Sequence, residues 1–291
     1  MKKFLCSAVL VLILSACASS LEVRVIKLGL LSKLNTTEEE FSAVWHKTYA
    51  PNNEKLNVLV KFYDSLSAMQ MALNAGEIDD MVLPEAAAEY VLNMNPNLEA
   101  TLTLRSRGMG LVFGFRAEDE TLRRKFNEAL RTMRRDWILS AIEGMYLSQP
   151  GRYSPEPVKF KKFPNANTIR VAVTGDLPPI DFIAADGTPA GYNTAVLSEI
   201  GNILHVNIEL VNIEAGARAS ALASGRVDVV FWYEFDAYAE KQHDVPDGVI
   251  LSEPYYEWDK FIHVRKAASK ASEDSGWSWK NGIFDIYGIG R

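Results

Sequence analysis

Cysteine is almost absent from this chain of 291 residues, which contains only Cys6 and Cys17. Because both lie near the amino terminus, the rest of the chain can form neither a disulfide framework nor a cysteine-ligated metal site. The four histidines show no metal-ligand spacing. No nucleophile elbow, phosphate-binding loop or dinucleotide fingerprint occurs. The sequence therefore predicts no metal, no cofactor and no enzyme activity.

An excess of basic residues is lacking as well. Lys and Arg number 31 against 37 Asp and Glu, which gives a formal net charge of −6. A mildly acidic chain of this kind is a poor candidate for binding nucleic acid. Its length and its 48% hydrophobic content are sufficient for two globular domains of ordinary size.

The first 17 residues differ from the rest. Lys2 and Lys3 precede an apolar run from Phe4 to Leu14, which is too short to span a bilayer and is typical of a secretory signal peptide, residues 1–17. The ending Leu14-Ser15-Ala16-Cys17 resembles the lipobox of bacterial lipoproteins, whose cysteine becomes lipidated. We therefore expect Cys17 to anchor an exported protein to the bacterial cell membrane or outer membrane, facing the periplasm or exterior. An ordinary signal peptide with an incidental Cys17 is the alternative.

One short pattern occurs twice. Ala72 to Asp79 reads ALNAGEID, and Ala221 to Asp228 reads ALASGRVD. Each copy places a glycine where a helix ends, and a short apolar run follows, as in a buried strand of a parallel sheet. The repeat predicts two similar α/β lobes with a ligand cleft between them.

Predicted elements place the first lobe at residues 22–147. Its expected strands are 23–31, 56–62, 81–83 and 108–115. One long helix is expected over 118–145. A shorter helix ends near Tyr49. At its start, Thr36 and Glu39 have the spacing of a capping box. Its apolar face is formed by Phe41, Val44, Trp45 and Thr48.

A proline-rich linker, residues 148–166, separates this lobe from a second one at residues 167–266. The expected strands of the second lobe are 169–173, 206–211, 229–231 and 261–264. Its expected helices are 194–204 and 218–224. The C-terminal tail, residues 267–291, is first polar and then aromatic, and its sequence predicts no structure.

Residues 168–266 resemble the first lobe of the bacterial family 3 solute-binding proteins, the receptors of ABC importers for polar amino acids. The segments that carry the resemblance are Ile169–Val173, Gly175–Phe182, Asp186–Gly187, Gly191–Tyr192, Gly225–Asp228 and Ser252–Tyr256. Residues 25–145 are similar to the second lobe of that family through Lys27–Gly29, Tyr63–Ser65, Ala72–Asp79 and Asn95–Leu98. The resemblance implies a two-lobe α/β fold of the type 2 periplasmic-binding class, circularly permuted. A fusion of two truncated modules is the alternative architecture.

The amino-acid clamp of that family is altered in this sequence. The arginine that holds the ligand carboxylate corresponds to Glu240, and the acid that holds the amino group corresponds to Pro84, with Glu85 beside it. The helix that offers its N-terminus to the carboxylate begins here with three glutamates, residues 38–40, which repel an anion. The resemblance therefore disfavours an ordinary α-amino acid as ligand.

Aromatic and acidic residues remain at the expected cleft. The predicted ligand-binding set is Asp176, Trp232, Tyr233, Glu234, Thr36, Thr37 and Glu85. Aromatic rings and carboxylates together can hold a cation. Aromatic residues that follow a strand also pack within their own lobe, and both interpretations stay open here.

These patterns predict a monomeric, exported lipoprotein that binds a small polar solute and serves an ABC-transporter permease. Two alternatives remain. One is a degenerate receptor-like lipoprotein that acts as a partner-binding or sensor module, and the other is a small-molecule lyase derived from the same fold.

Overall fold

The computed structural model describes residues 23–49, 55–152, 158–267 and 282–285. Before the linker, the elements are β1 (Arg24–Leu31), α1 (Glu38–Tyr49), β2 (Leu56–Tyr63), α2 (Leu66–Ala75), β3 (Asp80–Pro84), α3 (Glu85–Met94), β4 (Leu98–Arg116), α4 (Glu120–Arg135) and α5 (Ile138–Tyr146). After the linker they are β5 (Thr168–Val173), β6 (Asp176–Leu177), β7 (Asp181–Ile183), β8 (Pro189–Ala190), α6 (Tyr192–Leu204), β9 (Asn207–Asn212), α7 (Arg218–Ala223), β10 (Val229–Asp236), β11 (Val249–Leu251), β12 (Tyr256–Lys266) and β13 (Gly282–Asp285). The described part of residues 148–166 contains none of these elements.

The main sheet of the described residues repeats one pattern on either side of β4. Its order is β2-β1-β3-β12-β4-β10-β5-β9, and β11 and β13 also pair with β4. On one side, β1 lies between its parallel neighbours β2 and β3. On the other side, β5 lies between its parallel neighbours β9 and β10. The two-lobe α/β fold expected from the sequence is confirmed.

Strand β4 takes part in both halves of the sheet. Leu104, in its first part, pairs with Phe261 of β12, and Leu111, in its last part, pairs with Glu234 of β10. Strand β12 runs the opposite way, because Tyr256 at its start also pairs with Leu111. These two antiparallel strands carry the chain from one half to the other, and we call them the hinge strands.

The crossing corrects the predicted lobe boundaries. Helices α4 and α5 contact α6, although the sequence placed them in the first lobe. Strand β12 pairs with β3, although the sequence placed it in the second lobe. We therefore define lobe A as residues 23–107 and 256–266, and lobe B as residues 108–147 and 167–255. The predicted bounds divide the chain at the linker, whereas the sheet divides inside two continuous strands.

The two copies of the repeated pattern hold their lobes together in the same way. Helices α2 and α7 end before Gly76 and Gly225, whose φ angles are 77° and 71°. The Lys27 N–H donates to the Asp79 carboxylate at 2.8 Å, and the Asp79 N–H donates to the Lys27 carbonyl at 2.8 Å. Asp228 makes the same two bonds with the backbone of Arg170, at 2.9 and 2.8 Å. In each lobe, the aspartate just before the third strand is hydrogen-bonded to the backbone of the first strand.

One predicted helix is two helices in the structure. The segment expected to be continuous over 118–145 breaks between α4 and α5 at Trp137, whose φ is 60°. A left-handed residue cannot continue a right-handed helix. The break leaves the Trp137 side chain 75% exposed on the outer surface of lobe B.

The two aspartates of the repeat should differ in their contribution to stability. The Asp228 side chain is 21% exposed and also pairs with the guanidinium groups of Arg170 at 2.8 Å and Arg116 at 3.5 Å, whereas Asp79 is exposed. Hydrogen bonds to charged groups contribute about 1.5–3 kcal/mol each when partly buried. Asp228→Ala should therefore lower the free energy of unfolding in urea at pH 7 by more than the matched variant Asp79→Ala.

The Asp228 contribution should also depend on pH. Burial acts to raise the pKa of this carboxyl, but Arg170 and Arg116 outweigh it and hold the pKa below its ordinary value. A carboxyl with a lowered pKa in the folded state stabilises the protein above about pH 4 and loses this effect as the pH falls. The difference in free energy of unfolding between wild type and Asp228→Ala should therefore become smaller from pH 7 towards pH 2. A difference that stays constant over this range would contradict a stabilising role of the ionised Asp228 carboxylate.

Candidate functional site

A cavity of about 530 Å³ lies between the two lobes and next to the hinge strands. Lobe A and the hinge strands line it with apolar side chains that include Leu30, Phe41, Trp45, Val82, Pro84, Met109 and Phe261. Lobe B lines it with the polar residues Glu234, Asp236, Glu240, Lys241, Gln242, His243 and Asp244. Small-molecule sites have volumes of about 300–1,000 Å³ and favour the boundary between domains, so this cavity is the candidate functional site.

Helix α1 supplies one wall because its N-terminus is fixed close to the cavity. The Glu40 N–H donates to the Thr37 hydroxyl at 3.1 Å, and the Thr37 N–H donates to the Glu40 carboxylate at 3.3 Å. The capping box therefore joins Thr37 to Glu40, and the predicted pair of Thr36 and Glu39 is wrong by one residue. The predicted helix face is correct, since Phe41 and its neighbours at helical spacing line the cavity.

The opposite wall is the segment 239–244 after β10, which is attached to lobe A through Asn35. The Asn35 N–H donates to the His243 carbonyl at 2.8 Å. The Asn35 side-chain amide donates to the carbonyls of Gln242 at 3.1 Å and Val245 at 2.9 Å. Three hydrogen bonds from one residue thus hold the wall of lobe B against lobe A.

A buried ion pair also joins the lobes at the cavity. The Lys33 Nζ atom lies 2.7 Å from Glu234 Oε1, and the side chains are 4% and 16% exposed. Lys33 follows β1 of lobe A, and Glu234 lies in β10 of lobe B. Since an unpaired charge at this depth would be costly, each residue requires the other while the lobes are in contact.

A second buried pair supports the lobe B wall. Arg218 donates to both carboxylate oxygens of Asp244, at 2.8 and 3.2 Å, and the two side chains are 1% and 0% exposed. Asp244 also accepts the Glu234 N–H at 2.8 Å. The Arg218 guanidinium carbon lies 4.2 Å from the ring centroid of Trp232 and 5.1 Å from that of Tyr233. The Arg218 Nη2 group also donates to the Ser32 carbonyl of lobe A at 3.4 Å.

The predicted aromatic residues are buried within lobe B and do not line the cavity. Trp232 is 3% exposed, and its indole N–H donates to the Thr174 hydroxyl at 3.4 Å. The ring of Tyr233 is fully buried and lies where a side chain at Gly114 would be. Their cation partner is Arg218 of the same chain.

Asp176 closes another part of the boundary between the lobes. Its carboxyl group lies near the Thr174 side chain and near Leu66, at the start of α2 in lobe A. Burial raises the pKa of Asp176. Asp181 lies nearby, fully buried, and accepts bonds from the Thr174 hydroxyl at 2.8 Å and the Gly175 N–H at 2.6 Å. Burial raises the pKa of Asp181 to about 6.

Of the seven ligand residues predicted from the sequence, Glu234 is the one that lines the cavity. Thr36 and Thr37 bond to Glu40 at the start of α1. Glu85 lies beside the lining residue Pro84 and pairs with Lys260 of β12 at 2.7 Å. The two positions at which the clamp is altered, Pro84 and Glu240, both line the cavity.

Sequence reasoning missed Lys33, His243 and the hinge residues Met109 and Phe261. These residues are distant in sequence, and only the crossing of β4 and β12 brings them to one cavity. The predicted apolar face of α1 was the one available signal. That face packs in the core and also lines the cavity, since Phe41 and Trp45 are only 8% and 7% exposed and both are lining residues.

No helix among the described residues is long and apolar enough to cross a membrane. Within the same residues, His, Cys, Asp and Glu side chains do not come together in threes as a metal site.

Residues 169–276 match the model of the bacterial extracellular solute-binding proteins, family 3. The match confirms the resemblance for this segment, which is less than half of the chain. The comparison with curated proteins gave no match.

Several solved structures are similar to this chain at low sequence identity. They include the alkanesulfonate-binding protein SsuA from Xanthomonas axonopodis pv. citri, with 8% identity over 83% of this chain and 65% of that chain and a TM-score of 0.41. A zinc-bound ligand-binding component of an ABC-type import system from Staphylococcus aureus has 14% identity over 84% of this chain and 66% of that chain, also at 0.41. The methionine-binding protein MetQ has 14% identity over 86% of each chain, at 0.41. This chain spans about two thirds of the length of the first two, and identities this low transfer none of their ligands to it.

Removing one partner of the ion pair between the lobes should separate the lobes. Lys33→Met keeps the length of the side chain but leaves Glu234 without its cation, and breaking a buried pair in this way costs about 3–5 kcal/mol. The protein can avoid this cost by opening the cleft to water. We expect a larger radius of gyration in X-ray scattering and a lower melting temperature.

The double variant Lys33→Met/Glu234→Gln is the matched control, because it removes both charges. It should recover most of the lost stability and compactness. If Lys33→Met has the wild-type radius and melting temperature, the pair does not hold the lobes together.

Proposed function

We propose, from the match of residues 169–276 to the family 3 solute-binding proteins, that this protein is an extracytoplasmic receptor of ABC-importer type. It binds a small solute in the cavity between its lobes and presents it to a permease as a monomer. The observation that carries the proposal is the cavity of about 530 Å³, to which lobe A, lobe B and both hinge strands contribute. A site built from both lobes allows a solute to stabilise their contact, which a site within one lobe would not.

We also propose that the chain is a circular permutant of the family fold. The matched segment begins at β5, the first strand that lies wholly within lobe B, and strands β1 to β3 of lobe A precede it in the chain. Helices α4 and α5 precede the linker and contact α6, which follows it. A linker between these helices and β5 is what joining the former ends would require, since ends close together on a surface permit permutation. Both hinge strands are present in one chain, which favours a permuted receptor over two fused truncated modules.

The altered clamp favours a solute other than an ordinary α-amino acid. The Pro84 side chain has no group that could bind an ammonium ion, and Glu240 would repel a carboxylate. The lobe A helix begins with Glu38, Glu39 and Glu40, so its positive end already has acidic neighbours.

An outer surface of lobe B supports a second candidate function, that of a partner-binding module. The exposed side chains of Trp137 and Met145, at 75% and 54%, line one shallow groove with Ile138 and Ala141. Exposed apolar patches of this kind mark interaction sites. This candidate gains support if the cavity binds no solute.

A thermal-shift screen of the mature protein tests the receptor function. The panel should include amino acids, polyamines, quaternary amines, small sugars and small uncharged aromatics. A solute present at about a hundred times its dissociation constant stabilises the folded state by about 2.7 kcal/mol. At least one class should raise the melting temperature, and the rise should be lost in Ala239→Trp, in which an indole occupies the cavity wall. If no class gives a rise, the receptor function is wrong.

We further propose that Cys17, which lies outside the described residues, carries a lipid that anchors the exported protein. Cys17→Ala should move the protein from the membrane fraction to the soluble fraction of the cell, because the anchor is lost. Equal amounts of the variant and the wild type in the membrane fraction would contradict lipidation at this residue.

A further inference from the structure

We propose that the cavity receives an uncharged, mainly aromatic solute with one hydrogen-bonding group, rather than an amine, a carboxylate or a zwitterion. The inference rests on the proposed function and names the class of solute for the same cavity. Three features of the lining support it: an apolar aromatic wall, charges that already have protein partners, and one buried ring nitrogen without a partner.

Aromatic side chains from two elements form the apolar wall. Phe41 and Trp45 come from α1, and Phe261 comes from the hinge strand β12. Val82 and Pro84 of β3 complete it. Removing apolar surface from water gains about 25 cal/mol per Å², and rings pack well against rings in tilted or edge-to-face arrangements. An aromatic body matches this wall better than a polar one.

The charged groups of the lining are paired within the protein. Lys33 binds Glu234 at 2.7 Å, and Asp244 binds Arg218 at 2.8 Å. Lys241 lies 3.6 Å from Glu40.

The remaining charged residues of the lining, Asp236, Lys47 and Glu240, are not deeply buried. Asp236 accepts the Tyr238 N–H at 2.9 Å. Lys47 and Glu240 are exposed, so water solvates them. A charged solute would lose its own hydration in a cavity whose most buried charges already have counterions, which is costly.

One polar atom of the wall has no partner. His243 Nδ1 is buried and makes no hydrogen bond in the structure. The ring stands edge-on to Phe41, with the centroids 4.9 Å apart. Burial, followed by the nearby Lys241 and Lys33, lowers the pKa of His243. A neutral imidazole accepts or donates one hydrogen bond at this nitrogen, so a hydroxyl or N–H group on the solute would pair with it once the ring turns to bring the nitrogen to the cavity surface.

Three probes with one ring and different charges test the class of solute: p-cresol is neutral, benzylamine is a cation and benzoate is an anion. Isothermal titration of the mature protein at pH 7.5 should show p-cresol binding, with each charged probe at least ten-fold weaker. Tighter binding of either charged probe than of p-cresol would overturn the inference.

Two variants place the probe in the cavity. Ala239→Trp fills the wall at a half-buried position and should weaken p-cresol binding at least ten-fold. Ala237→Trp adds the same side chain two residues away, at an exposed position outside the lining, and should leave binding unchanged. Equal effects of the two variants would mean that p-cresol binds elsewhere.

His243→Phe tests the polar contact, because it keeps a ring of similar shape. A net hydrogen bond is worth about 0.5–1.5 kcal/mol, so p-cresol should bind about 2- to 10-fold more weakly, whereas toluene should be unaffected. Unchanged p-cresol binding would remove His243 from the site. If no ring probe binds while a sugar or polyamine does, the solute class is wrong and the receptor function stands; if nothing in either panel binds, both fail.

Discussion

The antiparallel pairing of the two hinge strands is the constraint on which the rest of the molecule depends. β4 and β12 are paired along most of their length, and each passes from one lobe to the other. Backbone hydrogen bonds between two strands are obligatory once both are buried. The lobes therefore cannot separate fully without breaking the sheet, and they can rotate only about this pair. The cavity lies beside the pair because that is where residues of both lobes stay close whatever the rotation.

Contacts further from the hinge hold the lobes closed, and the protein supplies them itself. Lobe A is connected to lobe B by Lys33 with Glu234, by Asn35 with the segment 242–245, and by Arg218 with Ser32. Most of these contacts use a charged group against a backbone or a counterion, so they are strong only when water is excluded. Within lobe B, the aromatic residues Trp232 and Tyr233 of β10 face Arg218.

The sequence was sufficient for the features that local chemistry determines. The repeat around Gly76 and Gly225 predicted two α/β lobes, because a helix stop followed by an apolar run has a local signature. The apolar face of α1 and most strands followed from periodicity. The hinge was not predictable in this way. Residues 98–107 of β4 alternate between apolar and polar types, so a strand there was predictable from the sequence. The crossing between the lobes was not, because it depends on pairing with β12, about 150 residues later in the chain. The site could not be predicted for the same reason, since Lys33 and Glu234 meet only after the lobes are assembled. The resemblance indicated which clamp positions are altered, but not which residues line the cavity instead.

Closure and selectivity are linked here because the same side chains serve both. When a receptor closes only around its ligand, its apparent affinity is reduced by the small fraction of molecules that are closed beforehand. Contacts such as the pair of Lys33 and Glu234 raise that fraction in the free protein, so a solute does not have to supply the energy of closure. Charges used in this way are no longer available to a ligand, and recognition then relies on the shape and apolar surface of the cavity. Under the proposed receptor function, an arginine at position 240 is needed when the carboxylate of a ligand draws the lobes together, and it is dispensable when the lobes bind one another directly.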